Sequence, residues 1–406
     1  MYHLLEDELR SAGPGWSGET PYDKVYLTLG KKSIVAGECA AMKLINTAVG
    51  ILGARFLGHP FYVRFQVTLK CNYDCRMCGA HRVEGLSKEL SLQQIDEAAR
   101  RLARLGARHV VITGGEPFLR RDLPDVIAVF ASNRFSVRAQ TNGGPQVTSE
   151  LLAECSRVGL RDLSVSVDTL DEDIQDYICR TRNVVSNSLR TLRLAKDLLP
   201  NGITQANVVA SRYNFEELPS LVKFFWRLGV YTYITPVMIA QDPNGRNGDY
   251  RFRGSDSAFS LQGVAPHVRD HVVNQLINLR RGGTGLTNST RFLEDWRRHM
   301  ANESAEWRCQ AGRLSLDIRP DGGISFCKEH KPIGNVLDEN FLSFCRGREF
   351  RRQASETADT CDGCFYGEYR ESYYAVRDFS VFGEWVRDWC FTFRHGMRFA
   401  CRGKIT

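Results

Sequence analysis

The chain has 406 residues, of which 43% are hydrophobic and 25% charged, with a formal net charge of +7. This length implies two or three domains with enough apolar residues for a sizeable core, which excludes a disordered or fibrous chain. Basic and acidic residues are interspersed until the last segment, so no nucleic-acid partner is expected, because that binding needs a concentrated basic face.

Residues 1–60 read as an irregular start followed by a helical segment from about Ile34 to Leu57. Met1–Arg10 is acidic and lacks the charged-then-apolar layout of a secretory signal. The longest apolar stretch, Leu44–Ala54, is bracketed by Lys43 and Arg55 and is too short to span a bilayer. A cytoplasmic location follows as the expectation. In a reducing compartment, thirteen cysteines point to metal binding or catalysis more than to disulfides.

From residue 61 the pattern alternates between strand and helix. Strands are predicted at Tyr62–Leu69, His109–Thr113, Phe135–Gln140, Asp162–Val167, Ile203–Ala210 and Val230–Val237, most of them short apolar runs rich in Val and Ile, as expected for strands buried on both faces. Amphipathic helices are expected between them. One runs from Ser91 to Leu105, with Ser91 and Gln94 as a capping box and Gly106 as the stop. Another runs from Asn214 to Leu228 and ends at Gly229. Six strands with helical crossovers predict a parallel sheet, curved or partly closed, with its chemistry at the C-terminal strand ends.

Cys71, Cys75 and Cys78 follow the first expected strand directly. Three thiolates on one loop can converge on a soft metal centre, whereas a structural zinc site wants four ligands. Thr113-Gly114-Gly115-Glu116-Pro117 follows the second strand: two glycines permit close approach to a ligand, and the carboxylate can pair with an amine.

Residues 241–308 break the alternation with a polar loop, Gln241–Gly254, and helices at about Pro266–Arg281 and Arg291–Met300. Leu314–Ile318 and Ile324–Cys327 flank Pro320-Asp321-Gly322-Gly323, a hairpin signal. Cys309, Cys327, Cys361 and Cys364 lie around this hairpin, and by spacing alone they fit a zinc ribbon as well as a cluster. Cys39, Cys155, Cys179, Cys345, Cys390 and Cys401 lack ligand spacing and read as small buried hydrophobes. Residues 379–404 mix aromatic and basic side chains, which suits either a segment folded back over the sheet or a peripheral contact with an anionic membrane.

The C-x3-C-x2-C spacing and the Gly-Gly-Glu-Pro segment resemble the radical S-adenosylmethionine (SAM) superfamily. The resemblance implies a partial (β/α)6 barrel and a [4Fe–4S] cluster on Cys71, Cys75 and Cys78, with one iron left open for SAM. It places Met77 near the adenine, Gly114, Gly115, Glu116 and Pro117 at the methionyl ammonium, and Asn142 at SAM. Ser166 and Asp168 fall at the ribose, and Arg212 at the SAM carboxylate.

Cys309-x12-Gly322-x4-Cys327, Pro332–Val336 and the later Cys361-x2-Cys364 look like the Twitch and SPASM group of extensions. These are small α+β domains that carry an auxiliary [4Fe–4S] cluster. Arg370 stands where a further SPASM cysteine would fall, which favours the shorter Twitch form. The implied domains are an N-terminal helical extension (1–60), the barrel (61–240), a helical insertion (241–308), the auxiliary domain (309–370) and the tail (371–406). The implied function is SAM cleavage and hydrogen abstraction from a small-molecule substrate, with electrons from a donor such as flavodoxin or ferredoxin. A peptide or protein maturase is the runner-up. A non-catalytic electron carrier or zinc-binding module is the reading from another class.

Overall fold

A computed structural model describes residues 60–79, 88–239, 253–303 and 307–384, apart from 362 and 382, together with Arg387. The expected Ile34–Leu57 helix and most of the 241–254 loop and of the tail lie outside the described residues.

In chain order the elements are β1 (Tyr62–Thr68), α1 (Leu92–Leu105), β2 (His109–Gly114), α2 (Leu123–Ser132), β3 (Ser136–Thr141), α3 (Ser149–Val158) and β4 (Leu160–Ser166). Next come α4 (Glu172–Cys179), α5 (Val184–Leu198), β5 (Thr204–Ala210), α6 (Leu218–Arg227), β6 (Tyr231–Pro236), α7 (Pro266–Arg281) and α8 (Thr290–Met300). The C-terminal part supplies β7 (Ser315–Ile318), β8 (Gly323–Ser325), β9 (Gly334–Asn335), α9 (Phe341–Arg346), α10 (Arg348–Thr360) and α11 (Gly367–Arg377).

Local signals set many of these bounds. Ser91 caps α1 reciprocally with Gln94, and Gly106 ends it at φ 116°. The helix expected from Asn214 starts later, at Leu218, with Pro219 in its first turn. Asn214 instead accepts the Ser211 N–H and donates to the carbonyls of Asp168 and Val209, which holds the β5 exit.

β1 to β6 pair in parallel in sequence order. β7 then adds in parallel to the free side of β1, and β8 and β9 follow antiparallel. The expected hairpin is present, but its first strand belongs to the main sheet. The auxiliary region therefore continues the barrel sheet instead of building one of its own. The boundary drawn at 370/371 falls inside α11.

The expectation of apolar strands on both faces needs correction. Val63, Phe65 and Val67 face the helices, with Phe65 edge-on to Phe130 of α2 at 5.0 Å. By strand alternation Tyr62, Arg64, Gln66 and Thr68 face the other way, into a polar lumen. The sheet also curls. Tyr62 on β1 lies close enough to Tyr233 on β6 to help raise its hydroxyl, after burial and the nearby Glu371 and Glu368, yet five strand spacings in a flat sheet would separate them by about 24 Å.

Helix α11 spans the gap that the curl leaves. It packs on β6 and α8. It sets Glu368 on Arg64 of β1 at 3.1 Å and Tyr369 on Asp317 of β7 at 2.8 Å. Gly367 passes so near the Tyr233 hydroxyl that a Cβ there would collide with it. On the outer side, Thr287 N–H and the Asn288 side chain bond to Thr232 and Ile234, so residues 286–288 line the free edge of β6.

Glu371 of α11 accepts the N–H of Ser289, the N-cap of α8, at 2.7 Å, and burial raises its carboxyl to about 7. A carboxyl raised on folding gives stability that is complete below its unfolded pKa near 4.5 and is lost as pH rises through about 7. Glu371→Gln keeps the acceptor and removes the charge. Its melting temperature relative to the parent is expected to increase by at least about 2 °C between pH 5 and pH 8. A constant difference across that range would contradict the assignment.

Candidate active site and auxiliary cysteine cavity

β1 delivers the chain to the Cys71 loop, and β2 fixes how it leaves. Gly115 N–H donates to the Thr68 carbonyl and Glu116 N–H to the Lys70 carbonyl, both at 2.8 Å. A Cβ on Gly114 or Gly115 would run into the carbonyl oxygens of Thr68 to Lys70. The close approach made by this glycine pair is therefore to the protein's own backbone at the root of the cysteine loop.

Glu116 is fully buried and caps a short 3-10 turn, Pro117–Leu119. It accepts the Phe118 N–H (3.0 Å), the Thr141 hydroxyl (2.9 Å) and the Asn142 N–H (2.7 Å). Burial outweighs these bonds and raises its carboxyl to about 7. The Asn142 side-chain nitrogen donates to Asn72 at 2.8 Å and lies 3.9 Å from the Cys71 sulfur. The ends of β1, β2 and β3 are thus tied together beneath Cys71.

The far side of the loop is fastened to the C-terminal end of α4. Arg76 N–H donates to Ile178 O, Arg76 Nε donates to Tyr177 O, and the Arg76 guanidinium stacks 4.1 Å from the Tyr177 ring. Arg180 pairs with Asp74 at 2.7 Å. Cys75 and Met77 pack with Tyr73, Ile178, Cys179, Val184 and Phe259. Cys71 is exposed, while Cys75 and Cys78 are half-buried and joined by a turn from Cys78 N–H to Cys75 O.

Two expected SAM contacts have other partners. Asp168 is buried, with one carboxylate oxygen on the Val209 N–H (2.8 Å) and the other near Gln175 Nε2 (3.4 Å), so it clamps β4 to β5 below the site. Burial raises it to about 6. Arg212 gives its guanidinium to the carbonyls of Ser260 and Gln262 and fastens that loop. Ser166 remains exposed at the end of β4.

The donor set fits a thiolate-held cluster. Burial raises the Cys71 thiol. Cys75 is raised by a hydrogen bond with Cys179 and by burial, and both sites feel Cys78. Such thiols stay protonated until a cationic centre draws off the proton.

The second cysteine set lines a small, partly open cavity, formed by Cys309, Cys327, Cys361 and Cys364 with Arg253, Glu329, His330 and Tyr366 around them. Burial pushes Cys309 up to about 11 and Cys364 up to about 12. Among the described residues no three His, Cys, Asp or Glu side chains close on a single-ion site. Arg370 is buried against the rings of Phe365 (4.0 Å) and Trp307 (4.4 Å).

The family model of the radical SAM superfamily matches residues 65–225, and that of the SPASM iron–sulfur cluster-binding domain matches 309–365. The chain carries a radical SAM domain followed by a SPASM iron–sulfur domain. SAM and [4Fe–4S] clusters are the cofactors that these two domains imply. A GTP 3′,8-cyclase of Marinobacter nauticus is 35% identical over 166 residues, 40% of this chain and 49% of the relative. The chain thus spans about half the length of that cyclase. Mycofactocin maturase MftC of Mycolicibacterium smegmatis is 26% identical over 325 residues, 76% of each chain. The fold is shared with Streptococcus suis SuiB bound to precursor peptide SuiA (TM-score 0.54, 14% identity, 87% of this chain and 79% of that one). It is also shared with anSMEcpe with bound AdoMet (TM-score 0.55, 13% identity, 80% and 99%). No described helix is long and apolar enough to cross a membrane.

Sequence spacing missed Cys179 beside Cys75 and His330 in the auxiliary cavity. Neither stands in a ligand pattern, and only the fold brings them near the cysteines. Gly115→Ala is expected to displace the root of the Cys71 loop and to cost about four of about eight irons per chain, leaving the auxiliary iron in place. Iron and acid-labile sulfide after anaerobic purification measure this; full iron retention would show that the close packing at Gly115 is dispensable.

Proposed function

We propose that this radical SAM protein is an enzyme that abstracts hydrogen from a small, polar biosynthetic substrate held in the lumen of the curled sheet, in an oxidation or rearrangement. One observation carries the reading: Cys71, Cys75, Cys78, Glu116 and Asn142 are gathered at the C-terminal ends of β1 to β3, above a polar lumen. A [4Fe–4S] cluster and SAM bound there would supply a 5′-deoxyadenosyl radical.

The chain's own residues hold and orient. In this reading the three thiolates of Cys71, Cys75 and Cys78 bind the cluster and Met77 backs the adenine. Gly114 to Pro117 shape the floor, with the Glu116 carboxylate next to the methionyl amine, and Ser166 lies at the ribose. In the lumen Arg138 reaches Ser164 (3.4 Å) and Gln205 (3.3 Å), and Gln205 bonds to Asn207 at 2.7 Å. With Nη1 on Ser164 and Gln205 and Nη2 paired at 3.5 Å with Asp162, the Nε hydrogen and one Nη2 hydrogen remain for a polar or anionic substrate group. Helix α11 walls off one side of this space.

Cys309, Cys327, Cys361 and Cys364 would hold the auxiliary cluster, which would supply an acceptor for the second electron of an oxidation. An external donor such as flavodoxin or ferredoxin would deliver the first.

A peptide or protein maturase is the second reading. It is favoured by the match to the maturase MftC, which extends over three quarters of both chains, where the cyclase match stops at half of its relative.

The test is anaerobic incubation with SAM and dithionite, followed by chromatography for 5′-deoxyadenosine. The full chain is expected to form it, and the C71A/C75A/C78A variant to form none. No product from a fully iron-loaded chain would leave the electron-carrier reading. Stimulation by an ultrafiltered low-mass extract supports a small substrate, whereas stimulation only by the retained peptide fraction supports a maturase.

A further inference from the structure

Beside the auxiliary cysteines lies a buried cation that no carboxylate neutralises directly. Arg370 of α11 is 4% exposed. Its guanidinium packs on two rings, Phe365 at 4.0 Å and Trp307 at 4.4 Å. Nε donates to the Cys364 carbonyl and Nη1 to the Tyr374 hydroxyl, both at 3.3 Å. That hydroxyl donates onward to Asp295 at 2.6 Å, but Asp295 already faces Arg291 at 3.2 Å and Arg298 at 3.6 Å. Among the described residues Arg370 itself forms no ion pair.

A guanidinium cannot shed its proton, and burying a charge without an opposite one is costly. The two rings offset only part of that cost. The surroundings of Arg370 point to the cysteines for the rest. Phe365 directly follows Cys364, and Trp307 stands two residues before Cys309. Trp307 and Cys364 pack against Cys327, Tyr366 and Tyr369 in one cluster. The carbonyl before Cys364, that of Gly363, accepts from Arg253 at 2.7 Å. His330 apart, the charged side chains among the described lining residues are Arg253 and Glu329, which cancel and leave Arg370 in excess.

We propose that Arg370 is a positioning residue whose fixed charge balances the auxiliary cluster and raises its reduction potential. The proposal rests on the reading of Cys309, Cys327, Cys361 and Cys364 as the ligands of that cluster. An iron–sulfur cluster held by four thiolates is anionic and gains further negative charge on reduction. A fixed cation beside it therefore stabilises the reduced form more than the oxidised form. Burial leaves this attraction little screened. Arg370 thereby poises the auxiliary centre to accept an electron.

The test is a potentiometric titration of the full-length, iron-reconstituted protein, read by electron paramagnetic resonance. The signal followed is the one that C71A/C75A/C78A retains. If that triple variant retains none, or zinc fills the four cysteines, the ligand reading fails and the proposal falls with it. Three variants separate charge from shape: R370K keeps the charge, R370Q keeps donors without charge, and R370M keeps only an apolar stem.

R370Q and R370M are expected to reduce the auxiliary cluster about tenfold less favourably, about 59 mV lower for one electron. R370K is expected to stay within threefold of the parent. The signal absent from C71A/C75A/C78A is expected to keep its potential in all three. With the auxiliary signal present at full iron content, equal potentials in parent and R370Q would overturn the proposal alone. So would a shift in R370K as large as that in R370Q, or loss of the auxiliary signal in all three variants, since Arg370 would then act through shape and packing.

Discussion

A buried guanidinium on β1 organises the molecule. Arg64 lies between Glu368 of α11 at 3.1 Å and Asp317 of β7 at 3.7 Å, and Lys328 shares Glu368. Burial would raise the Glu368 carboxyl, but Lys328 and Arg64 outweigh it and hold it below the usual range. Asp317, with burial dominant, is raised to about 6. Removing one member of such a group strands the others and costs about 3–5 kcal/mol, even though the intact group adds little net stability. These charges tie α11 and β7 to β1 through one guanidinium.

This arrangement joins the two cysteine sites through the fold. β7 leads through the hairpin to Cys327, and α11 begins three residues after Cys364. Tyr369 packs on Cys327 and donates to Asp317, while Tyr366 donates to Glu329 on the wall of the auxiliary cavity. The segment that carries the auxiliary cysteines is thus also the wall of the lumen.

Much of this was legible in the sequence where the signals are local. The Ser91/Gln94 capping box, the Val-rich strands and the Pro320–Gly323 turn each announce their element within a few residues. The cysteine triplet and Gly114-Gly115 were readable because the chemistry demands those residue types at that spacing. What sequence could not show depended on distant pairing. Nothing in Ser315–Ile318 states that it will lie beside β1, 250 residues earlier in order. Asp168 and Arg212 stood at the right strand ends for SAM, yet the partners that engage them, Val209, Gln175, Ser260 and Gln262, come from other elements. The polar inner face was readable as well, in the alternation of Arg64 and Gln66 with Val63, Phe65 and Val67 on β1 and of Ser136, Arg138 and Gln140 with Val137 and Ala139 on β3, a period of two that the expectation of strands apolar on both faces passed over.

The open end of the sheet has its own consequence. β6 would expose a row of unpaired backbone groups, the kind of template on which another chain can add. Residues 286–288 occupy that row, and Asn288 serves Ile234 from both sides of its side-chain amide, as a neighbouring strand's peptide would. The insertion between β6 and β7 therefore acts as a guard against intermolecular strand addition. Deleting residues 286–288 would lay this edge open to such strand addition.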